Sequence, residues 1–219
     1  MAFAYPVSLE VAGRRAVVVG GVPVAEERTR ALLGAGACVT VVVERPTEGL
    51  EELGRLGAVT LVRRAYRRGD LRGAFVAVAA TGDPSVNARI FAEAEKRRVL
   101  LNAVDDVGHC HFAVPSILRR GDLIVAVSTG GKCPGLARRL RERLAREIGP
   151  EYGLLVDLLG DVRQELLPQR TVGPATWARR WRHALDHDLI ELVRQGRLRE
   201  VRAIVHAALS RDRPEEAVA

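Results

Sequence analysis

The first half of the chain alternates short apolar runs with amphipathic stretches, and this alternation limits the possible folds more than any other feature. The runs that have the character of buried parallel strands are RAVVVG, CVTVVVE, AVTLV, FVAVAAT and VLLNAV. Between them, VAEERTRALLGAG and DPSVNARIFAEAEKRR have the spacing of helices, and Asp83 and Pro84 are suited to begin the second one. The pattern predicts an α/β protein with a Rossmann-type doubly wound parallel sheet.

The alternation ends after Asp106. Two strands are expected in HFAVPSIL and DLIVAVS, joined by a turn at RRGD, and a glycine loop then opens a basic helix in TGGKCPGLARRLRERLAREIG. From Glu151 onward only helices are expected, and the last residues, RDRPEEAVA, are expected to fray. We therefore predict a Rossmann domain over residues 1–112, a small mixed strand-loop-helix segment over 113–150 and a C-terminal helical domain over 151–219.

The chain is strongly basic, with a formal net charge of +7 that comes almost entirely from arginine. Arginine binds carboxylate and phosphate through a planar fork, so the excess suits nucleic acid, an anionic membrane or a small polyanionic substrate. Plain surface charge is the alternative. Aromatic residues make up only 4% of the chain, and no nucleic-acid-binding motif is visible. We therefore expect no nucleic-acid partner.

Neither the cysteines nor the apolar residues indicate a secreted or membrane protein. Three cysteines do not make a disulfide framework. The N-terminus lacks the pattern of a signal peptide, and no apolar stretch is long enough to span a bilayer. We expect no membrane partner and a reducing, cytoplasmic setting.

The turn after the first apolar run carries part of a dinucleotide-binding fingerprint. In the pattern G-x-G-x-x-G/A, Gly20 takes the first position, and Val22 stands where backbone must approach a pyrophosphate. Pro23 removes one N–H group from this turn. Glu44 ends the second strand, where a carboxylate can accept hydrogen bonds from a ribose. Together these features predict a nucleotide site, and a purely structural turn is the alternative.

Polar residues also follow two later strands. Asp105 and Asp106 come directly after VLLNAV, and a carboxylate there can accept a proton or bind a metal, although a cap or a solvated turn is the alternative. Ser128 and Thr129 leave a strand just before two glycines, an arrangement that suits either anion binding or a well-capped helix. The stretch GHCHF offers metal-binding side chains, but adjacent residues rarely converge on one ion. We therefore assign no metal ligand.

Taken together, these segments resemble the precorrin-2 dehydrogenase/sirohydrochlorin ferrochelatase family, which forms the N-terminal half of sirohaem synthases and also occurs free-standing. The matching stretches include YPVSLEVAGRRAVVVGG, VAATGDPSVNARI, LLNAVDD, FAVPSILRRGDLIVAVSTGGKCPGLARRLRERL and the RRWRHALD region, and they span nearly the whole chain. The loop and helix S-x-G-G-K-x-P-x-L-A-R together with N-x-V-D form a specific combination. Three positions depart from the usual family pattern: Val22 replaces a glycine, Cys133 often a serine, and GHCHF a proline-containing stretch.

The resemblance implies a reaction and a set of site residues. Precorrin-2 is oxidised to sirohydrochlorin with NAD⁺, for sirohaem or cobalamin, and some members then insert Fe²⁺. Asp105 would be the catalytic residue, accepting a proton or capturing the metal substrate. The cofactor residues would be Gly20, Gly21, Val22, Pro23, Val24, Glu44, Arg45 and Thr81. The substrate residues would be Ser128, Thr129, Gly130, Lys132, Arg138 and Arg139, among which the arginines suit a substrate with several carboxylates.

The resemblance further implies a homodimer that pairs through the segment 113–150. Arg45 beside Glu44 leaves room for a 2′-phosphate, so NADP stays open as an alternative to NAD. A non-catalytic, NAD-sensing Rossmann protein is the rival interpretation. Such a sensor would need neither Asp105 nor the arginine-rich helix, and formation of NADH from precorrin-2 separates the two.

Overall fold

The computed structural model describes residues 5–210, so the fraying predicted for RDRPEEAVA lies outside the described residues. The chain forms two compact units, of which the first ends at Val114 and the second begins at Pro115. The finer division into three parts stays a prediction. Within the described range, no helix has both the length and the apolar character needed to cross a membrane.

The first unit is built on a five-stranded sheet, which confirms the predicted α/β fold. Its strands are β1 (Arg15–Val19), β2 (Cys38–Val43), β3 (Thr60–Arg63), β4 (Val76–Ala79) and β5 (Leu100–Ala103). They lie in the order β3-β2-β1-β4-β5, and every neighbouring pair is parallel. This is the Rossmann order, in which ligands bind beyond the carboxyl ends of the strands where the order reverses, here between β1 and β4.

Helices cover both faces of this sheet, and their ends follow from local chemistry. They are α1 (Pro23–Gly34), α2 (Glu48–Arg55) and α3 (Pro84–Arg97). Asp83 caps α3 as predicted, because its carboxylate accepts the N–H of Ser85 at 2.8 Å. Two apolar clusters form the core, one against each face. Because both faces are buried, the strands have continuous apolar sequences instead of alternating ones.

The connection from β3 to β4 contains no regular helix within residues 64–75, and a buried carboxylate holds it in place. Glu93 on α3 is 4% exposed. It accepts the Tyr66 hydroxyl at 2.5 Å and the Gly69 N–H at 2.8 Å, and Arg97 forms an ion pair with it. Burial opposes the charge of Glu93, but these donors outweigh burial and lower the pKa of the carboxyl. The connection is thus anchored to α3 although it has no helix of its own.

The second unit combines a hairpin with helices, as predicted. Strands β6 (Ser116–Arg120) and β7 (Leu123–Val127) are antiparallel and are joined at Gly121, which has a φ of 55°, and Asp122. The two arginines of the predicted RRGD turn belong to β6, and β6 begins at Ser116, later than the predicted strand HFAVPSIL. The helices are α4 (Pro134–Glu147), α5 (Glu151–Leu166), α6 (Pro174–Leu185), α7 (Leu189–Arg194) and α8 (Leu198–Ser210). Helices α5 to α8 enclose a core of their own, whose most deeply buried members include Val162, Ala184, Val201 and Val205.

Candidate functional site

A cleft of about 630 Å³ opens at the carboxyl end of the sheet, next to the ends of β1, β2 and β4. It lies where the strand order reverses, the expected place for a ligand in this fold. Most of the predicted cofactor residues line it together: Gly20, Gly21, Val22, Glu44, Arg45 and Thr81. Pro23 and Val24 do not line it. Pro23 is the first residue of α1, and Val24 packs against the core.

The floor of the cleft is backbone, since its two glycines leave no room for side chains. Gly20 has a φ of +122°, and a Cβ atom there would lie 1.9 Å from the carbonyl oxygen of Ala80. A Cβ atom on Gly21 would lie 2.4 Å from the carbonyl oxygen of Arg45. The glycine pair therefore runs in direct contact with the ends of β4 and β2. Packing against protein, as well as access for a ligand, requires glycine at both positions.

Val22 stands at the start of α1 in ordinary extended backbone, with φ −78° and ψ 160°. A β-branched residue fits this conformation, which explains why the turn tolerates the departure from glycine. The Val22 side chain is 38% exposed beside the cleft, and the N–H of Ala25 bonds to the Val22 carbonyl at 2.8 Å. With Pro23 lacking an N–H, the first turn of α1 offers an anion fewer donors than a complete fingerprint would.

Charged side chains form the rim of the cleft. Glu44 and Arg45 are exposed at the end of β2. Arg64, at the end of β3, also lines the cleft, and sequence reasoning missed it. Its guanidinium makes two bonds to the carboxylate of Asp70, at 2.8 and 2.7 Å, which holds the side chain and offsets its charge. Glu44 is thus the carboxylate at the position where a Rossmann fold recognises a ribose.

Asp105 lies in the turn directly after β5 and has left-handed backbone, with a φ of 57°. Aspartate and asparagine accept this conformation more readily than most residues. The Asp105 side chain is exposed, and within residues 5–210 its carboxylate has no hydrogen-bond or ion-pair partner. It is therefore open to a ligand at the same end of the sheet as the cleft.

Asp106, in contrast, belongs to a hydrogen-bonded chain that ends at the cleft. The Thr81 hydroxyl donates to Asn87 Oδ1 at 2.7 Å, and Asn87 Nδ2 donates to Asp106 Oδ2 at 3.2 Å. His109 Nδ1 lies 2.9 and 2.8 Å from the two carboxylate oxygens. The bond from His109 is the main reason that the pKa of Asp106 is lowered. Because a carboxylate can only accept hydrogen bonds, we assign the donor role in this contact to His109 Nδ1.

The GHCHF stretch covers the free edge of β5. The N–H groups of Leu101 and Ala103 point away from the sheet, where they donate to His111 Nδ1 at 3.0 Å and to Cys110 Sγ at 3.1 Å. Burial raises the pKa of the Cys110 thiol, and the neutral thiol bonds back to the Ala103 carbonyl at 3.1 Å. Phe91 stacks on the His111 ring, with 5.2 Å between centroids. These side chains take the place of a further strand and satisfy the exposed edge.

The residues predicted to bind the substrate lie in the second unit. In the loop before α4, the Ser128 hydroxyl accepts the Gly130 N–H at 3.2 Å, and Thr129 Oγ1 accepts the Cys133 N–H at 3.0 Å. Gly130 and Gly131 have left-handed backbone with open space around them. Lys132 is exposed at the tip. The hydroxyls therefore stabilise the loop itself and keep their remaining hydrogen-bonding capacity for a ligand.

The two predicted arginines stand on the exposed surface of α4. Arg138 pairs with Glu142 at 2.9 Å, one helical turn away. Arg139 is exposed and has no ion pair among the described residues. Arg139 is thus the freer of the two cations for binding a carboxylate.

A second hollow, of about 910 Å³, lies beside α2 and the edge strand β3. Four of its charged residues already bind one another: Arg63 pairs with Glu51, and Arg55 pairs with Glu52 at 2.6 Å. The hollow therefore offers a ligand few free groups. Across the described residues, no cluster of three or more histidine, cysteine, aspartate or glutamate side chains is arranged to hold a metal ion.

Two family models match the chain. Residues 7–116 match the family described as "Putative NAD(P)-binding", and residues 120–147 match the one described as "Sirohaem biosynthesis protein central". The first match covers about half of the chain and coincides with the five-stranded sheet and its cleft. The second covers the end of β6, β7, the glycine loop and α4.

Individual proteins that are similar to this chain, in sequence or in structure, have names from the same pathway as the second family model. Siroheme synthase 1 of Serratia proteamaculans is 36% identical over 195 residues, which are 89% of this chain and 41% of the relative. Siroheme synthase of Nitrosospira multiformis is 36% identical over 214 residues, 96% of this chain and 45% of the relative. The chain thus spans less than half the length of these relatives. The solved structure of SirC, precorrin-2 dehydrogenase, superposes with a TM-score of 0.73 at 27% identity and covers 90% of this chain and 98% of its own.

Proposed function

The chain belongs to the NAD(P)-binding family related to sirohaem synthase, and from this membership and its cleft we propose that it is an NAD-dependent dehydrogenase that oxidises precorrin-2 to sirohydrochlorin. The observation that carries the proposal is the pairing of two features at one end of the sheet. One is a nucleotide-type cleft with a glycine floor and an acidic rim. The other is the exposed, unpaired carboxylate of Asp105 in the turn after β5.

The residues of the cleft fit a nicotinamide dinucleotide. Its volume, about 630 Å³, lies in the range of cofactor sites. Glu44 can accept hydrogen bonds from the adenosine ribose, and the backbone of Gly20 and Gly21 lets the pyrophosphate approach the start of α1. The Val22 side chain is exposed beside this approach and would narrow it. When bound, NAD⁺ supplies the hydride acceptor.

The protein has to supply the proton acceptor and hold the substrate. Oxidation removes two electrons and one proton as hydride, plus a second proton from the substrate. We assign this second proton to a carboxylate oxygen of Asp105, because no other group competes for that carboxylate among the described residues. Arg139, Lys132 and the hydroxyl loop would bind the carboxylates of the macrocycle through charge-assisted hydrogen bonds.

The experiment that tests the activity is an anaerobic assay of the purified chain with precorrin-2 and NAD⁺. We expect NADH absorbance to rise in step with the spectrum of sirohydrochlorin. A chain that binds NAD⁺ with micromolar affinity and forms no NADH would be the sensor that we named as the rival. A matched assay without NAD⁺ controls for oxidation by residual oxygen.

We further infer that NAD, and not NADP, is the preferred cofactor. The Glu44 carboxylate would repel a 2′-phosphate. Of the two arginines that line the cleft, Asp70 already offsets the charge of Arg64, and Arg45 is the one whose charge would favour a 2′-phosphate. We expect Glu44→Gln to narrow the preference for NAD⁺ over NADP⁺ by about tenfold in kcat/KM, which corresponds to about 1.4 kcal/mol. Glu48→Gln, an exposed acid of α2 that does not line the cleft, is the control. An unchanged preference in Glu44→Gln would place cofactor selection elsewhere on the rim.

Two finer assignments, Fe²⁺ as a substrate and a homodimer, follow from the family and stay proposals. Fe²⁺ would be a second substrate, which adding Fe²⁺ or Co²⁺ to the same assay would test. A homodimer would pair through the hairpin, whose outward residues Ile117 and Ile124 are each 44% exposed. The molar mass in solution would report it. The cytoplasmic setting stays a prediction from the cysteine pattern.

A further inference from the structure

A buried amide joins the nucleotide cleft to the turn that carries Asp105. Asn87, in the second turn of α3, is 4% exposed. Its oxygen accepts from Thr81 at 2.7 Å, and its nitrogen donates to Asp106 at 3.2 Å. Thr81 lines the cleft, and Asp106 directly follows Asp105. The amide is therefore the link between both parts of the proposed site.

The negative charge of Asp106 sets the donor and acceptor in each hydrogen bond that links it, through Asn87, to Thr81. A carboxylate can only accept, so the Asn87 nitrogen must face it and the Asn87 oxygen must face Thr81. The Thr81 hydroxyl lies 2.7 Å from Asn87 Oδ1 and 3.2 Å from the Asp83 carbonyl oxygen, and it donates its one proton to the nearer acceptor, Asn87. It accepts the N–H of Asp83 at 3.1 Å. The hydroxyl oxygen then has one lone pair with which it can accept a hydrogen bond from a ligand in the cleft. Thr81 therefore presents an acceptor to the cofactor, and not a donor.

Asp106 is itself fixed from its other side. His109 Nδ1 donates to both oxygens of the carboxylate, and the His109 N–H bonds to the Asp106 carbonyl at 3.1 Å. His109 packs edge-on against Phe91 of α3, with 5.3 Å between ring centroids. The carboxylate is thus held between α3 and the GHCHF stretch.

We propose that Asp106, through Asn87, is a positioning residue that fixes the hydrogen-bonding direction of the Thr81 hydroxyl toward the nicotinamide cofactor, and that His109 holds Asp106 for this task. The proposal rests on the proposed function in one respect, namely that the cleft binds NAD⁺. It does not depend on precorrin-2 being the substrate. A group that donates a hydrogen bond, such as the carboxamide of nicotinamide, is the part of the cofactor that matches an acceptor at Thr81.

The test is a double-mutant cycle on the affinity for NAD⁺, measured by calorimetric titration of the full chain. We expect Asp106→Ala and Thr81→Val each to weaken NAD⁺ binding by about fivefold, the loss of about one hydrogen bond. The double variant should be no weaker than either single variant, because both changes remove the same contact. Asp106→Asn keeps an oxygen for Asn87 and should recover most of the affinity. Asp122→Ala, in the β6–β7 turn of the other unit, is the control.

The double-mutant cycle can contradict the proposed role of Asp106 whether or not precorrin-2 is the substrate. Losses that multiply to about 25-fold in the double variant would show that Asp106 and Thr81 act separately. A folded Asp106→Ala protein with wild-type affinity for NAD⁺ would show that Asp106 supports only the turn. Thermal unfolding of each variant identifies the folded ones. If the cycle gives the expected non-additivity but precorrin-2 is not oxidised, the proposed substrate is wrong, and the proposed role of Asp106 in NAD⁺ binding is still supported.

Discussion

Replacing Asp105 with asparagine is expected to lower the turnover of precorrin-2 by about 10²- to 10⁴-fold, the usual contribution of a positioned general base. Asparagine has the size of aspartate and accepts the left-handed backbone at this position, where φ is 57°. Alanine there would add a strain of about 1–2 kcal/mol, which would confuse loss of chemistry with loss of structure. The measurement is single-turnover formation of NADH under anaerobic conditions.

Two comparisons make this result specific. The Asp105→Asn protein should unfold at the wild-type temperature and bind NAD⁺ with wild-type affinity, because the Asp105 side chain is exposed and forms no hydrogen bond or ion pair with another described residue. Asp106→Ala should lose much less turnover, about tenfold, since it acts only through other residues. Near wild-type turnover in Asp105→Asn would remove Asp105 from the mechanism and make another group the proton acceptor.

The second large effect is expected from Gly20→Ala, which should destabilise the first unit by about 3–5 kcal/mol. The added Cβ atom would lie 1.9 Å from the Ala80 carbonyl oxygen, so β1 and β4 would have to move apart. The φ of +122° adds strain for any residue with a side chain. A loss of this size is a large part of the 5–15 kcal/mol by which such domains are stable. Urea unfolding followed by circular dichroism measures it.

Gly82→Ala separates the clash from the backbone strain. Gly82 lies close by in the chain with a φ of +71°, and open space surrounds the place of its Cβ atom. Alanine at this position should cost only the strain of a left-handed residue, about 1–2 kcal/mol. Equal losses in the two variants would mean that contact with Ala80 does not make glycine necessary at position 20.

The sequence was sufficient to predict features that depend on local pattern. Valine-rich runs located all five parallel strands, and the turn chemistry located Gly20, Gly21 and Glu44, which directly follows the end of β2 at Val43. Because parallel strands all end at one edge of the sheet, the position of Asp105 after β5 was enough to place it at the same end of the sheet as the cleft. The spacing of apolar residues and the rules for connecting parallel strands predict these positions without knowledge of any tertiary contact.

Features that depend on a distant partner could not be predicted. The sequence of the connection between β3 and β4 is that of a charged loop. Its conformation is held by hydrogen bonds to Glu93, which lies more than twenty residues further along the chain. The stretch GHCHF offers the residue types of a metal site, yet His111 and Cys110 bind the edge of β5. Asn87 looks like any polar residue of an amphipathic helix. Only the tertiary fold brings it between Thr81 and Asp106.

The backbone floor of the cleft has a consequence for how such a site can evolve. Gly20 and Gly21 leave no side chain to vary, and the strand ends beneath them hold them in place. Selection on cofactor use can therefore act on side chains around this floor, such as Glu44 and Arg45, which are exposed and replaceable at little cost to the fold. A lineage could exchange one dinucleotide for another through few substitutions while the sheet beneath stays the same. The glycines of the floor are thus fixed by the fold, whereas the rim residues can change with the cofactor.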